Sequence, residues 1–424
     1  MHSSADFMTE ADSAALEQAA AQNHLERFVL MAQASGGEAY TLPGITWTWS
    51  QGEEGGMILF PRLSKEEAGS ALDAIVAFYL DRKPKQMIGC WSLDPAEPDD
   101  LDIRLLARGF QSGWKPCWMA LDMNREFASF PPPEGVEIRL LEDGETPEAD
   151  GLPYYSREMA ILHAAAARRS PRSVWNWGAF QKDRLIGHCV LFLHRGALGA
   201  AGIYSVGVLP EEQNRGIGKA VVQAACMLGR EKGCRYALLN ATGERMYRQL
   251  GFERVGYGRT WWLNVSALLA QPVTPERIAL AEAVGREDLT ALQSMTLTQP
   301  DAPLPNGMTL LQIAVHAGAQ RSVEWLLEKG ATLDIVSAWD LGWRNRIPAL
   351  VSDPKLLNWR YGELQITPLH IAVERNEPEL AQMLLAGNPD LTATDAVYAS
   401  TPLGWARHFG RSEIAAMIEE HERR

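Results

Sequence analysis

The sequence predicts a multidomain protein, with two α+β segments followed by an all-α solenoid of stacked repeats. Three observations carry this. Two proline-marked seams, Phe130-Pro131-Pro132-Pro133-Glu134-Gly135 and Gln271-Pro272-Val273-Thr274-Pro275, cut the chain into three parts. Strand-like and helix-like periods alternate up to the second seam. Beyond it strand signals fade and one short helical element recurs. The length agrees, since 424 residues at roughly 150 per domain suggests two to four domains.

Composition excludes several classes. Apolar residues make up 46% of the chain and charged residues 22%, a globular balance that rules out wholesale disorder. The 36 Gly and 24 Pro keep no short period, so a collagen-like rod is excluded. Apolar runs such as 189–193 and 220–222 fall far below the roughly 18 residues of a membrane span. Residues 1–10 hold no basic stretch followed by an apolar one, so a secretory signal is not expected. Lys and Arg total 40 against 53 Asp and Glu, a net charge of −13, which repels phosphate backbones at long range. The five cysteines never form a C-x-x-C pair, which argues for packed, reduced thiols and against a zinc site. The expectation is a soluble cytoplasmic chain with no metal, no membrane partner and no nucleic acid partner. The 14 Trp are spread along the chain and read mostly as core aromatics.

Before the first seam, residues 45–50 alternate like a strand. Residues 66–80 read as a helix with Ala68, Leu72, Ile75, Val76 and Tyr79 on one face. Residues 101–107 form a further helix running into Arg108-Gly109-Phe110, and 118–122 a strand. Between the seams, a strand is predicted at 136–140, a helix at 154–168, strands at 174–181 and 185–194, and another at 202–209. A loop at 210–215 precedes a helix that opens at Gly216, presents Ile217, Val221, Ala224 and Leu228 on one face, and stops at Gly233. A strand at 235–240, a short helix at 244–250 and a strand at 254–263 complete this part.

In the last part, Thr309-Leu310-Leu311-Gln312-Ile313-Ala314 recurs as Thr367-Pro368-Leu369-His370-Ile371-Ala372 and as Thr401-Pro402-Leu403-Gly404-Trp405-Ala406. A T-P-L-H-x-A element with a period of about 33 residues resembles the ankyrin family. Gly285, Gly318, Gly342, Asn376 and Gly410 match the inter-helix turn, at spacings of 33, 24, 34 and 34. This reads as five units, the first a cap and the third short of its extended finger. Asn376 suits the turn because Asn tolerates left-handed backbone. The resemblance implies that Thr367 and His370 fix the turn by local hydrogen bonds, and that the stack binds a protein on its concave face. Trp325, Trp339, Trp343, Trp359 and Trp405 divide between core and binding surface, and the charged residues 419–424 suit an outer cap.

The chemistry centres on Ile203-Tyr204-Ser205-Val206-Gly207-Val208-Leu209-Pro210-Glu211-Glu212-Gln213-Asn214-Arg215-Gly216-Ile217-Gly218-Lys219-Ala220. A strand runs into a tight loop, and a helix starts at the glycines. Amides at a helix start are unpaired and lie at the positive end of the dipole. Glycines let a diphosphate approach the main chain, and Arg215 and Lys219 add positive charge. Val221 stands where a third glycine would complete G-x-G-x-x-G, so a dinucleotide site is disfavoured. Gln213-x-x-Gly216-x-Gly218 resembles the acyl-CoA pyrophosphate loop of the GNAT superfamily of N-acetyltransferases. Downstream, Asn240-Ala241-Thr242-Gly243-Glu244-Arg245-Met246-Tyr247-Arg248-Gln249-Leu250-Gly251-Phe252 is similar to that family's N-x(6)-Y-x-x-x-G-F segment.

The resemblance implies a mixed sheet flanked by helices, and a site. Backbone amides from Gln213 through Asn214, Arg215, Gly216, Ile217 and Gly218 to Lys219 would hold the pyrophosphate of acetyl-CoA, the co-substrate. Main chain at Val206 and Val208 would pair with the pantetheine arm, with Gly207 marking a bulge that splays the strand. Asn240 would touch the same arm, and Tyr247 would protonate the departing thiolate. Glu158, His163, His188 and His194 stand as open candidates for a general base, beside a water relay that needs none of them. Glu211 and Glu212 read as a solvated turn.

Leu105-Leu106-Ala107-Arg108-Gly109-Phe110 followed by Trp118-Met119-Ala120-Leu121-Asp122 resembles the tail of a second such fold. No Gln-x-x-Gly-x-Gly loop precedes it, so a degenerate lobe without cofactor is expected at 1–130. The GNAT domain is expected at 134–266 and the ankyrin repeats at 274–424. The implied activity is transfer of an acetyl group to an amine, the acceptor being a polyamine, an amino acid, a peptide N-terminus or a lysine. The alternative is a non-catalytic CoA-binding or ankyrin scaffold.

Overall fold

The structure, a computed structural model, describes residues 6–52, 55–125, 129–241 and 243–423. Residues 1–5 of the N-terminal stretch, Thr242 of the second motif and Arg424 of the charged end lie outside the described residues. The chain forms two compact units, Met1–Asp99 with Ser112–Val265, and Asp100–Gln111 with Ser266–Arg424. Both α+β segments thus fall in one unit, while the helix expected at 101–107 groups with the repeats.

The first segment supplies α1 (Ser13–Ala34), β1 (Glu38–Leu42), β2 (Ile45–Trp49), β3 (Met57–Leu59), α2 (Lys65–Arg82), β4 (Ile88–Asp94), α3 (Leu101–Ala107), β5 (Phe110–Ser112) and β6 (Cys117–Asp122). The second supplies β7 (Val136–Leu140), α4 (Arg157–Ala167), β8 (Val174–Gln181), β9 (Arg184–His194), β10 (Ala200–Val208), α5 (Ile217–Glu231), β11 (Tyr236–Ala241), α6 (Glu244–Gln249) and β12 (Glu253–Leu263). One mixed sheet runs β1-β2-β3-β4-β12-β6-β11-β10-β9-β8-β7. Its centre is a reciprocal exchange between two lobes. The first lobe's β6 pairs antiparallel with β11, from Tyr236↔Asp122 to Ala241↔Cys117. The second lobe's β12 pairs antiparallel with β4, from Tyr257↔Asp94 to Leu263↔Ile88, and β12 and β6 pair with each other. Each lobe therefore completes its neighbour's sheet.

The two faces carry separate cores. Val221, Val222, Ala225 and Cys226 of α5 pack on Cys189, Leu191, Leu193, Ala201 and Ile203. On the other face Leu162, Ala166 and Ala167 of α4 and Met31 of α1 pack on Val174, Val190, Phe192 and Tyr204. Sequence periodicity did not single out α1, and its burial gives the reason. Asn23, His24 and Arg27 are buried along with Ala19, Ala20, Phe28 and Met31, so its polar residues do not mark a solvent face. Asn23 is bound on both sides, its Nδ2 donating to the Ala200 carbonyl at 3.0 Å and its Oδ1 accepting from the Tyr204 hydroxyl at 2.6 Å.

In the repeat unit, helix pairs follow one another at Pro275–Gly285 and Leu289–Ser294, Leu310–His316 and Gln320–Glu328, Pro368–Arg375 and Pro378–Ala386, and Pro402–His408 and Ser412–Glu422. Ile335–Asp340 opens the short third unit, which continues in Ile347–Leu350 and Pro354–Leu357. The turn residues Gly318, Gly342, Asn376 and Gly410 have positive φ, as their matches require. Gly285 does not. The left-handed residue of the first unit is Glu287 (φ 55°), and Gly285 instead ends its helix against Ile103 of α3, where a Cβ would lie 2.4 Å from Ile103 Cγ2. Helix α3 is fixed to this first pair by a buried ion pair, Arg108 to Glu282 at 2.6 Å, and by Asn306 Nδ2 donating to the carbonyls of Leu106 and Phe110. Thr367 and His370 close a capping box, and His370 Nε2 reaches the Ser400 carbonyl at 3.1 Å. Among the described residues no helix is long and apolar enough to cross a membrane.

Candidate active site

The site begins where two parallel strands part. β10 and β11 pair only at Ala201↔Ala237 and Gly202↔Leu238, so the rest of that β10 edge has no ladder partner on β11. On its other side β10 shifts register against β9 between Tyr204 and Gly207. Ser205 and Val206 together oppose the single Cys189, and the left-handed one is Ser205 (φ 50°). The bulge thus precedes Gly207, which is small for another reason. A Cβ there would lie 2.1 Å from the Pro153 carbonyl oxygen.

The loop after β10 turns with positive φ at Asn214 (63°) and Gly216 (90°), and Gly216 caps α5 without a side-chain hydrogen bond. The first amide bonded back along the helix is that of Ala220, to the Gly216 carbonyl at 3.1 Å. The amides of Ile217, Gly218 and Lys219 are therefore the orphan donors of a helix start. Next to them the strand edge, the loop and α6 enclose a cleft of about 660 Å³. It is lined by Val206, Val208, Gln213, Asn214, Gly216, Ile217, Gly218, Lys219 and Tyr247, with Glu212, Gly243, Arg245, Met246 and Gln249.

Tyr247 owes its place to the way α6 ends. Phe252 N–H bonds the Tyr247 carbonyl at 3.1 Å and Gly251 N–H the Arg248 carbonyl at 3.1 Å, with Gly251 at φ 94°. This is a Schellman closure, and its accompanying apolar contact is Tyr247 on Phe252, ring centroids 6.0 Å apart. Burial, with smaller contributions from Cys189 and Tyr154, pushes the Tyr247 phenol well above its ordinary range. It keeps its proton at neutral pH.

Comparison with known proteins decides what this arrangement is. The Acetyltransferase (GNAT) family profile matches residues 137–252, and the Ankyrin repeat profile matches 306–338 and 365–396. The chain carries a GNAT domain and ankyrin repeats. Similar solved structures include a GCN5-related N-acetyltransferase from Kribbella flavida (16% identity, 59% of this chain and 96% of that one, TM-score 0.45). Another is from Sphaerobacter thermophilus (17%, 61% and 95%, TM-score 0.41). A third is a tandem GNAT protein from the clavulanic acid biosynthesis pathway (14%, 59% and 96%, TM-score 0.36). A search of curated proteins finds no match.

Within the GNAT domain two of the singled-out residues stand apart from the cleft. Asn240 lies on β11 opposite Trp118 and is not in the lining. Arg215 turns back onto Glu212, so the charge expected from it is largely spent locally. Lys219 instead lies over the Phe130 ring at 4.6 Å and donates to Gln249 Oε1 at 3.2 Å. Gln213 Nε2 donates to the Val208 carbonyl at 3.2 Å, tying loop to strand. Glu211 pairs with Arg184 at 2.7 Å. Arg245 and Met246, which the sequence reading passed over, also line the cleft. Both lie within the N-x(6)-Y stretch, and a basic side chain in the first turn of α6 was the available signal.

None of Glu158, His163, His188 or His194 lines the cleft. His163 and His188 are 5% and 3% exposed, and burial holds His188 down to about 4, although its bond to the Pro153 carbonyl opposes this. Both are neutral at pH 7. Among the described residues no group of three or more His, Cys, Asp or Glu is placed to hold a metal.

The first lobe shows the contrasting geometry. Its parallel strands β3 and β4 pair from Met57↔Gly89 to Leu59↔Trp91, and Phe60 N–H then bonds the Trp91 carbonyl at 2.7 Å. The strands do not part there. Phe60, Trp91, Trp118 and Phe28 instead surround His24, and burial drives that imidazole well below its ordinary range.

Proposed function

We propose that the protein is an N-acetyltransferase that moves an acetyl group directly from acetyl-CoA to an amine acceptor, and that its ankyrin repeats recruit a protein partner or the substrate. The reading is supported above all by one juxtaposition: an unpaired strand edge, an uncapped helix start and a half-buried phenol share a single cleft. The residues fit the co-substrate. Amides of the loop from Gln213 to Lys219 suit a diphosphate, that of Gln213 once it leaves the Pro210 carbonyl at 3.4 Å; the absence of a Cβ at Gly216 and Gly218 leaves the main chain open, and Lys219 and Arg245 offer positive charge. Val206 presents main chain to the pantetheine arm, and Val208 does so once Gln213 gives up its carbonyl. Asn240 is kept as a contact to that arm.

Bound acetyl-CoA supplies an activated acyl group. Tyr247 donates a hydrogen bond to the sulfur as its bond to carbon breaks. The proposed division of labour is a cofactor-free first lobe at 1–130, a catalytic domain at 134–266 and the repeats at 274–424, in a cytoplasmic protein.

Two measurements test this. Acetyl-CoA at a hundredfold excess over its dissociation constant should stabilise the fold by about 2.7 kcal/mol. CoA should then be released with at least one of a polyamine, an amino acid, a peptide N-terminus or a lysine side chain. Stabilisation without release on any amine would favour a CoA-binding scaffold. No stabilisation would remove both readings.

A further inference from the structure

Helix α1 belongs to the first lobe, yet it packs on β10 of the second, and one polar side chain marks the place. Asn23 is 0% exposed and lies against Gly202. A Cβ on Gly202 would stand 2.0 Å from Asn23 Oδ1 and 2.5 Å from Tyr204 Cε2, so the strand omits a side chain where the other lobe inserts one. Gly202 is also the last β10 residue laddered to β11, opposite Leu238, before the two strands part. Asn23 Nδ2 donates to the Ala200 carbonyl at 3.0 Å, and the Tyr204 hydroxyl donates to Asn23 Oδ1 at 2.6 Å. A single amide group therefore grips β10 on both sides of Gly202.

The grip ends where the strand is strained. Ser205, the next residue, is left-handed at φ 50°, a conformation that a Cβ disfavours and that persists only where neighbours over-determine it. Tyr204 is the last residue in register with β9, opposite Val190, before the shift that ends with Gly207 opposite His188. Its ring is held as well as its hydroxyl, with Arg27 of α1 at 4.9 Å and the His24 ring at 5.6 Å. An ordinary ladder would set Ser205 opposite Cys189 and Val206 opposite His188. That slip of one residue turns Val206 to the other face of the sheet, and Val206 lines the cleft.

We propose that Asn23 is a positioning residue for the transferase. Through Tyr204 it holds the bulge at Ser205 and Val206, and so keeps the β10 edge in the form that receives the pantetheine arm. The effect on acetyl-CoA rests on the transferase reading; the hold on the bulge does not. The first lobe thereby takes part in co-substrate binding from beneath the sheet, by shaping the strand that its neighbour presents.

Asn23→Leu would leave the Ala200 carbonyl and the Tyr204 hydroxyl buried without partners, which endangers the fold. The test on the full chain therefore cuts the link from the other end. Tyr204→Phe keeps the ring and removes only the hydroxyl. It should weaken acetyl-CoA binding about tenfold by calorimetry, as the binding-competent edge falls to roughly one molecule in ten. Adding Ser205→Gly should restore affinity to within about threefold of wild type, because glycine takes a positive φ without a Cβ penalty. A merely structural bond would lower the melting temperature, leave the affinity of the folded protein unchanged, and give Ser205→Gly nothing to rescue. Unchanged affinity in Tyr204→Phe, or a loss that Ser205→Gly fails to restore, overturns the proposal. In a crystal structure of unliganded Tyr204→Phe, Ser205 should leave the left-handed region and the shift against β9 should close. A bulge unchanged in that variant overturns the proposal whatever the binding. If the wild-type protein binds no acetyl-CoA, the proposed function fails, while the crystal structure still decides whether Asn23 holds the bulge.

Discussion

Replacing Gly216 by Glu separates the loop's shape from its charge. Gly216 sits at φ 90° and ψ −2°, a left-handed conformation that costs an L residue about 1–2 kcal/mol. Nothing lies within 4 Å of a Cβ built there, so the side chain meets no steric obstacle, and charge carries the effect. A carboxylate near a helix start returns about 0.3–1 kcal/mol. The net loss of about 1 kcal/mol should lower the melting temperature by roughly 2–4 °C for a unit of this size. Binding should suffer far more. A carboxylate roughly 5 Å from one phosphate charge, at an effective dielectric of about 20, repels it by about 3 kcal/mol. That is about a hundredfold in dissociation constant. Gly216→Ala carries the strain without the charge and should bind acetyl-CoA within about threefold of wild type. Calorimetric titration of both variants, with melting curves alongside, measures the contrast. Wild-type affinity in Gly216→Glu would refute the reasoning.

Other outcomes follow from single contacts. Tyr247→Phe should lower kcat about a hundredfold while acetyl-CoA affinity stays within twofold by calorimetry, because the ring keeps its contact with Phe252. Since the phenol's pKa is raised, the wild-type rate should show no loss from its ionisation at or below pH 10. Burial alone would raise Asp395, but the amides of Tyr398, Ser400 and Val397 and the Trp405 indole hold it down to about 2. Its contribution to stability is therefore present above about pH 4, the ordinary carboxylate value, and is lost as pH falls towards 2. Acid melts of the Asp395→Asn variant should be flatter across that window. Arg108→Ala takes from Glu282 the more buried of two ion pairs and leaves it Arg286 at 2.8 Å, and should cost about 1.5–3 kcal/mol in denaturant melts. The double variant with Glu282→Ala should recover part of that.

Much of the second lobe is legible in the residues because its elements obey local rules. Strand 174–181 is predicted and observed with the same ends. The start of α5 at Gly216 and the Gly251-Phe252 closure are backbone signals that need no tertiary knowledge. What escapes is what depends on partners distant in sequence. Helix α1 hides because its polar Asn23 and His24 are buried by the sheet. The pairing of β6 with β11 joins residues more than 110 positions apart, and no local pattern encodes it. The repeats mislead at one turn, where Gly285 is kept small by Ile103 and Glu287 takes the left-handed turn. In the cleft, residue identities mark the loop, but the pairing of Arg215 with Glu212 appears only in three dimensions.

A co-crystal structure with acetyl-CoA tests the central claim most directly. The account predicts the pyrophosphate oxygens about 3 Å from the amides of Ile217, Gly218 and Lys219, with the pantetheine arm along the open edge of β10. A carrier bound elsewhere, with that edge and those amides contacting only solvent, would contradict it.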